Sequence, residues 1–194
     1  LTYPVVLKAV SDQLAHKTEA GAVALGLGNA DEVVQAAQGM AERLASQGLY
    51  GLDYLVEPMV RDSVAELIIG LKRDDQFGLA LILGTGGILV NLLNDSATLL
   101  LPTSREAVHK TLLGLQGAAL LQGYRGRAEA DVEAVVDTVM AVADLAMAHW
   151  DTIEELDVNP LMVRPKGEGA IAVDALITLT RNNEAQAGMT RAIA

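Results

Sequence analysis

Between Ile153 and Leu161 the chain alternates apolar and polar residues, a period of two that points to a β-strand. Glu155, Asp157 and Asn159 fall on one face of that strand, and Leu156, Val158 and Pro160 on the other. Met162-Val163-Arg164, the turn-forming run Pro165-Lys166-Gly167-Glu168-Gly169 and a second apolar run, Ala170–Ala175, complete the signature of a hairpin. Opposed residues in an antiparallel pair have a constant sum of residue numbers, so the midpoint of any pair lies in the turn. The midpoint of Asn159 and Asp174 is 166.5, inside Pro165–Gly169, which predicts that the two face each other. Asp157, Asn159 and Asp174 offer oxygen donors only, a set suited to a hard cation such as Mg²⁺. A solvated polar strand face fits the same pattern. Pro160 is expected to mark where the regular strand ends.

What such a cation would serve depends on the rest of the chain. Its 194 residues suffice for one large domain or two small lobes. Apolar residues reach 51 % but aromatics only 3 %, so the core must be built from Ala, Val, Leu and Ile. The net charge of −11 argues against a nucleic acid partner, since phosphate backbones are met with Lys and Arg. An anionic ligand would therefore need local neutralisation by a few placed cations and a metal. The absence of Cys excludes disulfides and thiolate metal sites. No apolar run reaches membrane-spanning length and no signal peptide is visible, so a cytoplasmic protein with no membrane partner is expected. The chain lacks an initiator Met and enters a strand at once, as a fragment incomplete at its N-terminus would.

Periodicity places strands at Val5–Val10 and Val23–Leu27, and a helix over Asp31–Ser46. Strands follow at Asp53–Met59, Ala65–Lys72, Gly78–Leu83 and Ile88–Leu93, with Ala97–Leu101 a further candidate. Ser104 is placed to cap a helix over Arg105–Leu115. Gly117–Gly126 reads as a loop, and Glu129–Trp150 as a long amphipathic helix with Val132, Val135, Val136, Val139, Met140, Val142, Ala143 and Ala146 as its stripe. Residues 181–194 lose the pattern and read as a tail or linker. Clustered strands with helices on either side indicate α+β or α/β lobes.

Four further stretches carry possible chemistry. Lys8 lies within an apolar strand, where an ammonium must be paired, held for a ligand, or snorkel to water. In His16-Lys17-Thr18-Glu19-Ala20-Gly21, Lys17 and the amides near Gly21 could meet phosphate, and His16 could accept a phosphoryl group. Taken singly, a polar surface loop explains that stretch more simply. Gly84-Thr85-Gly86-Gly87 lacks the spacing of known phosphate loops. It allows close backbone approach to a phosphate, or a turn between strands. At Glu57-Pro58-Met59-Val60 a hinge could turn backbone amides to an adenine edge with Met59 packed on the ring, or a strand could simply end.

Taken in order, Tyr3–Lys8, His16–Gly21, Glu66–Gly70, Arg73–Gly78, Gly84–Gly87, Gly123–Arg127 and Glu155–Leu161 resemble the ATP-grasp domain of the NDP-forming acyl-CoA synthetases, relatives of the succinyl-CoA synthetase β chain. The resemblance runs over about residues 3–180 without rearrangement. It implies an α+β ATP-grasp fold of two lobes with mostly antiparallel sheet and flanking helices. Residues of about 3–59 would form the smaller lobe and about 60–180 the larger. Lys8 and Lys17 would hold nucleotide phosphates, Glu57 to Met59 would run against adenine, and Glu66, Gly86 and Gly87 would line the nucleotide site. Asn159 and Asp174 would bind Mg²⁺ with Asp157 beside them, and His16 would carry the phosphoryl group. The family reaction is acyl-CoA + ADP + phosphate ⇌ acid + CoA + ATP. The CoA-binding and ligase parts would lie elsewhere in a longer chain or in a partner subunit, within an oligomer.

Three positions depart from the family pattern: Ala22 stands where a second Gly is common, Asn91 where Glu is usual, and Leu99 near a usual Arg. Those changes motivate a second reading, a non-catalytic sensor domain like those fused to protein lysine acetyltransferases. A third reading is a structural α/β interaction module with vestigial motifs.

Overall fold

The computed structural model describes residues 1–11, 14, 17, 20–87 and 95–180. These divide into two compact units, one of residues Leu1–Arg61 and one from Asp62 onward.

In the first unit, β1 (Val5–Val10) is the centre of an antiparallel sheet of order β2-β1-β3, with β2 at Val23–Leu27 and β3 at Asp53–Pro58. Helix α1 (Ala30–Ala45) starts at a capping box: Asn29 accepts from the Glu32 N–H, and Glu32 reaches back to the Gly28 N–H at 2.6 Å. Its Met40 and Leu44 pack on Leu7, Ala9, Leu14 and Ala22. The period of two along β1 thus assigns Leu7 and Ala9 to the helix side and Val6 and Lys8 to the opposite side. Near its C-terminus, α1 also secures the loop that returns to β2. The Arg43 guanidinium donates to the Gly21 carbonyl at 2.6 Å, and Gly21 adopts a positive φ of +70°. Ala22 is fully buried in this core, so its methyl group is accommodated where Gly is common in the family.

In the second unit the strands are β4 (Ala65–Asp74), β5 (Gly78–Thr85), β6 (Ser96–Leu100), β7 (Ile153–Val163), β8 (Ala170–Ala172) and β9 (Ala175–Leu179). They form an antiparallel sheet of order β6-β5-β4-β7-β8, with β9 also pairing β7. One face is covered by α2 (Arg105–Gly114), the single-turn α3 (Ala118–Leu121) and α4 (Val132–Ala148). Leu67, Ile69 and Leu71 of β4, Leu79, Leu81 and Leu83 of β5, and Val135, Val136 and Val139 of α4 interlock in this core. Aliphatic burial carries the unit, as the scarcity of aromatics required.

The predicted elements differ from these in specific places. Gly117–Gly126 is not a plain loop, since it holds α3 and a 3-10 turn at Tyr124–Gly126. The long helix starts at Val132, three residues later than Glu129, because Asp131 takes the N-cap and accepts from the Ala134 N–H at 3.2 Å. The strand expected at Ile88–Leu93 and the tail at 181–194 lie outside the described residues. Leu99 is turned to the helix-covered face and packs against its core, so its aliphatic side chain has a structural use.

Candidate functional site

Lys8 is 8 % exposed. It lies opposite Leu55, while Val6 lies opposite Glu57, so Lys8 and Glu57 are diagonal neighbours on the sheet face away from α1. The ammonium meets the Glu57 carboxylate at 2.5 Å. A buried cation is thereby compensated within the fold, which is the condition the sequence imposed on it. Beside this pair, the Met59 N–H donates to the Pro4 carbonyl at 3.1 Å. That amide is therefore engaged by the backbone of the first unit. Lys17 offers its carbonyl to the Ala22 N–H at 2.8 Å, which closes the loop onto β2. His16 lies outside the described residues, as does Asn91.

Glu66, Gly86 and Gly87 come together at one end of the second unit's sheet. The Gly86 N–H donates to the Glu66 carbonyl at 2.7 Å. A Cβ at Gly86 would come within 2.9 Å of the Glu66 carbonyl carbon. Glycine at 86 is thus required by close packing of backbone on backbone, and its amide is occupied by protein. Gly87 has a φ of +73°, and the Glu66 carboxylate stands beside it. These residues edge a cleft of about 390 Å³ that is also lined by Val64, Leu67, Leu115, Gly117, Leu121 and Arg127, among others. Asp95, a buried carboxylate that the sequence did not signal, holds this wall in place. It accepts from the Gln116 and Gly117 N–H groups at 2.7 and 2.8 Å. Gly117 leaves room for Thr85, whose Cγ2 would be only 2.3 Å from an added Cβ.

The hairpin register is the one its midpoint predicted. Leu161 pairs Ala172 and Asp157 pairs Leu176, and both pairs of residue numbers sum to 333, as do 159 and 174. Backbone bonds carry the pairing across the break between β8 and β9: Asn159 N–H to Asp174 carbonyl at 3.1 Å, and Val173 N–H to Pro160 carbonyl at 3.2 Å. Asn159 and Asp174 are thus direct partners, and Asp157 lies one step away on the same face, opposite Leu176. This is the sheet face away from the helices.

Pro160 does not end the strand. Toward β4 the register slips between Leu67 and Ile69, which pair Leu161 and Val158, so Asn159 and Pro160 together oppose Ile68. That is a β-bulge, the one interior strand position where Pro is tolerated. Its effect appears in burial: Leu156 and Val158 face the core, and after the bulge Leu161 and Val163 do, with Pro160 only half-buried.

The turn of the hairpin is held from outside by Asp131, which sequence reasoning passed over. Its Oδ2 accepts from the Gly167 and Gly169 N–H groups at 2.9 Å each, while Oδ1 caps α4. The Gly169 N–H, with those of Ala134 and Gly167, holds the Asp131 carboxyl below the usual carboxylate range against the opposing effect of burial. An Asp immediately before the apolar stripe was the available signal for the cap, though not for the turn.

Asn159 and Asp174 fit a hard divalent cation by donor chemistry, one carboxamide and one carboxylate side by side on a sheet. Among the described residues no three His, Cys, Asp or Glu side chains form a group able to hold a metal ion.

The chain has recognisable relatives among known proteins. A family model described as an ATP-grasp domain matches residues 1–179. The β subunit of an ADP-forming acetate–CoA ligase, isoform II, from Pyrococcus furiosus is 35 % identical over 181 residues, covering 91 % of this chain and 75 % of that one. The ADP-forming acetate–CoA ligase of Methanocaldococcus jannaschii is 36 % identical over 176 residues, covering 89 % of this chain but 25 % of its own. Among solved structures, acetyl-coenzyme A synthetase 1 of Ca. Korarchaeum cryptofilum, in complex with coenzyme A, Ca-AMPCP and HgCl⁺, superposes with a TM-score of 0.82 at 33 % identity. That match covers 92 % of this chain and 77 % of the other.

Proposed function

The chain belongs to the ATP-grasp family, and from that premise we propose that it is the Mg²⁺-nucleotide-binding part of an ADP-forming acyl-CoA synthetase. The reaction is acyl-CoA + ADP + phosphate ⇌ acid + CoA + ATP, with this chain handling phosphoryl exchange at the nucleotide. Its relatives are acid–thiol ligases; this chain spans about three quarters of a β subunit and one quarter of a single-chain ligase. The CoA-binding and acyl-handling parts are accordingly assigned to a partner subunit or to other parts of a longer chain.

The observation that carries the reading is the direct pairing of Asn159 with Asp174 on the open face of the sheet. Their side-chain oxygens would hold Mg²⁺, with Asp157 one step along the same face. The ion, when bound, neutralises charge on the phosphates. Lys8 and Lys17 would hold the nucleotide phosphates, and the strand position of Lys8 fixes where its charge sits. His16 directly precedes Lys17 in the sequence, and to it we assign the acceptance of the phosphoryl group. Glu66 is held against the Gly86–Gly87 turn, where it lines the nucleotide site.

The decisive experiment is calorimetric titration of the intact protein with ADP and ATP, with and without Mg²⁺. Saturable binding strengthened by Mg²⁺ is expected, together with acid-labile ³²P transfer from labelled ATP that is lost in His16→Asn. No nucleotide binding under either condition would overturn the reading.

A further inference from the structure

We propose that Arg43 is a positioning residue for Lys17, acting through the one peptide unit that joins Gly21 to Ala22. The inference rests on the reading of Lys17 as a phosphate ligand and names what holds it in place. That peptide unit is bonded at both ends. Its carbonyl, from Gly21, accepts from the Arg43 guanidinium at 2.6 Å, and its N–H, from Ala22, donates to the Lys17 carbonyl at 2.8 Å. A peptide unit is planar, so the direction of its N–H follows from that of its carbonyl. Arg43 thereby aims the donor that holds Lys17.

Both sides of this linkage are prepared for it. A Cβ added at Gly21 would lie 3.0 Å from a guanidinium nitrogen of Arg43 and 3.1 Å from its Cδ, so glycine leaves the space that Arg43 occupies. Arg43 stands in the last turn of α1, between the buried Met40 and Leu44, and its own carbonyl accepts from the Ser46 hydroxyl at 2.6 Å. The guanidinium therefore reaches out from a fixed base. Gln47, just past the helix, adds a longer contact to the Ala20 carbonyl at 3.4 Å. One residue beyond the shared peptide, the Ala22 carbonyl accepts from the Ala9 N–H at 2.9 Å, and Ala9 follows Lys8 in β1. Lys17 is thus tied to a point that is itself tied to the strand carrying Lys8. A bond from a charged donor is stronger than a neutral one, and its loss frees the peptide unit to turn. Lys17 would then have to be ordered during binding, which lowers affinity.

The test is a double-mutant cycle, read by calorimetric titration of the intact protein with Mg²⁺-ADP. Arg43→Ala should weaken binding about tenfold in the parent, and by less than about twofold when Lys17→Met is already present. Arg43→Lys, which retains a cationic donor, should lose less than Arg43→Ala. The same cycle with Arg43→Gln supplies the answer if Arg43→Ala does not fold. Equal losses with and without Lys17→Met would overturn the proposal, because Arg43 would then act through its charge or through the fold at large. No loss in either would overturn it too. If the parent binds Mg²⁺-ADP and Lys17→Met does not weaken it, this inference falls and the nucleotide reading stands. A parent that binds no ADP refutes both.

Discussion

Lys8 is fixed by a side chain arriving from the far end of the first unit, whereas Asn159 and Asp174 are fixed by the backbone of one hairpin in the second. The first arrangement is an ion pair between strands distant in sequence, and one charge change dismantles it. The second is a register, written into a turn and clamped by Asp131, and it survives the loss of either side chain. Electrostatic perturbation should therefore act at Lys8 and Glu57 as a change in ligand affinity. In the hairpin, side-chain changes should alter metal dependence alone, and changes at the clamp should alter stability.

The largest effect is expected at Lys8. Lys8→Met should weaken Mg²⁺-ADP binding about a hundredfold or more by calorimetry, with the circular dichroism of the fold retained. Next, Asp174→Asn should weaken Mg²⁺-ADP binding about tenfold and leave metal-free ADP unchanged, since one ligand charge is lost while the backbone register stays. Equal losses with and without Mg²⁺ would remove the metal from this strand pair. At the clamp, Asp131→Ala should lower stability by about 1–3 kcal/mol in denaturant unfolding, because two turn amides and a helix cap lose their acceptor. The Asp131 carboxyl is held below its ordinary value in the folded chain, so its contribution is present above about pH 4 and lost as pH falls through the folded pKa. The gap between parent and variant should close in that acidic window. The smallest change, Gly117→Ala, should cost about 1–2 kcal/mol by forcing Thr85 aside, with nucleotide affinity little altered.

The contrast also explains what the sequence made legible. The pairing of Asn159 with Asp174 could be calculated because only a short turn separates the strands, and turn position determines register. The partnership of Lys8 with Glu57 could not, because nothing local links β1 to β3. Sequence alone requires that a buried ammonium be compensated and leaves the partner open. Pro160 was misread for a related reason: alternation describes one strand, whereas a bulge is a relation between two, visible only once β4 is in place. Asp95 and Asp131 were missed because each accepts from amides far along the chain, at Gln116 and Gly117 and at Gly167 and Gly169. The glycines at 84–87 invited a phosphate-loop reading, yet at Gly86 packing on Glu66 accounts for the residue.

The bulge at Asn159 and Pro160 also governs how this strand can change length over evolutionary time. Toward β4, β7 already carries a surplus residue, so that side can accommodate a shift of the surplus along the strand. Toward β8 and β9 the count is kept from Glu155 to Val163, and the turn beyond is tied at both its glycines to Asp131. Insertions should therefore be tolerated where they move the bulge and rejected where they lengthen the turn. An odd-numbered slip of the hairpin would turn Asp174 to the helix-covered side while leaving Asn159 in place.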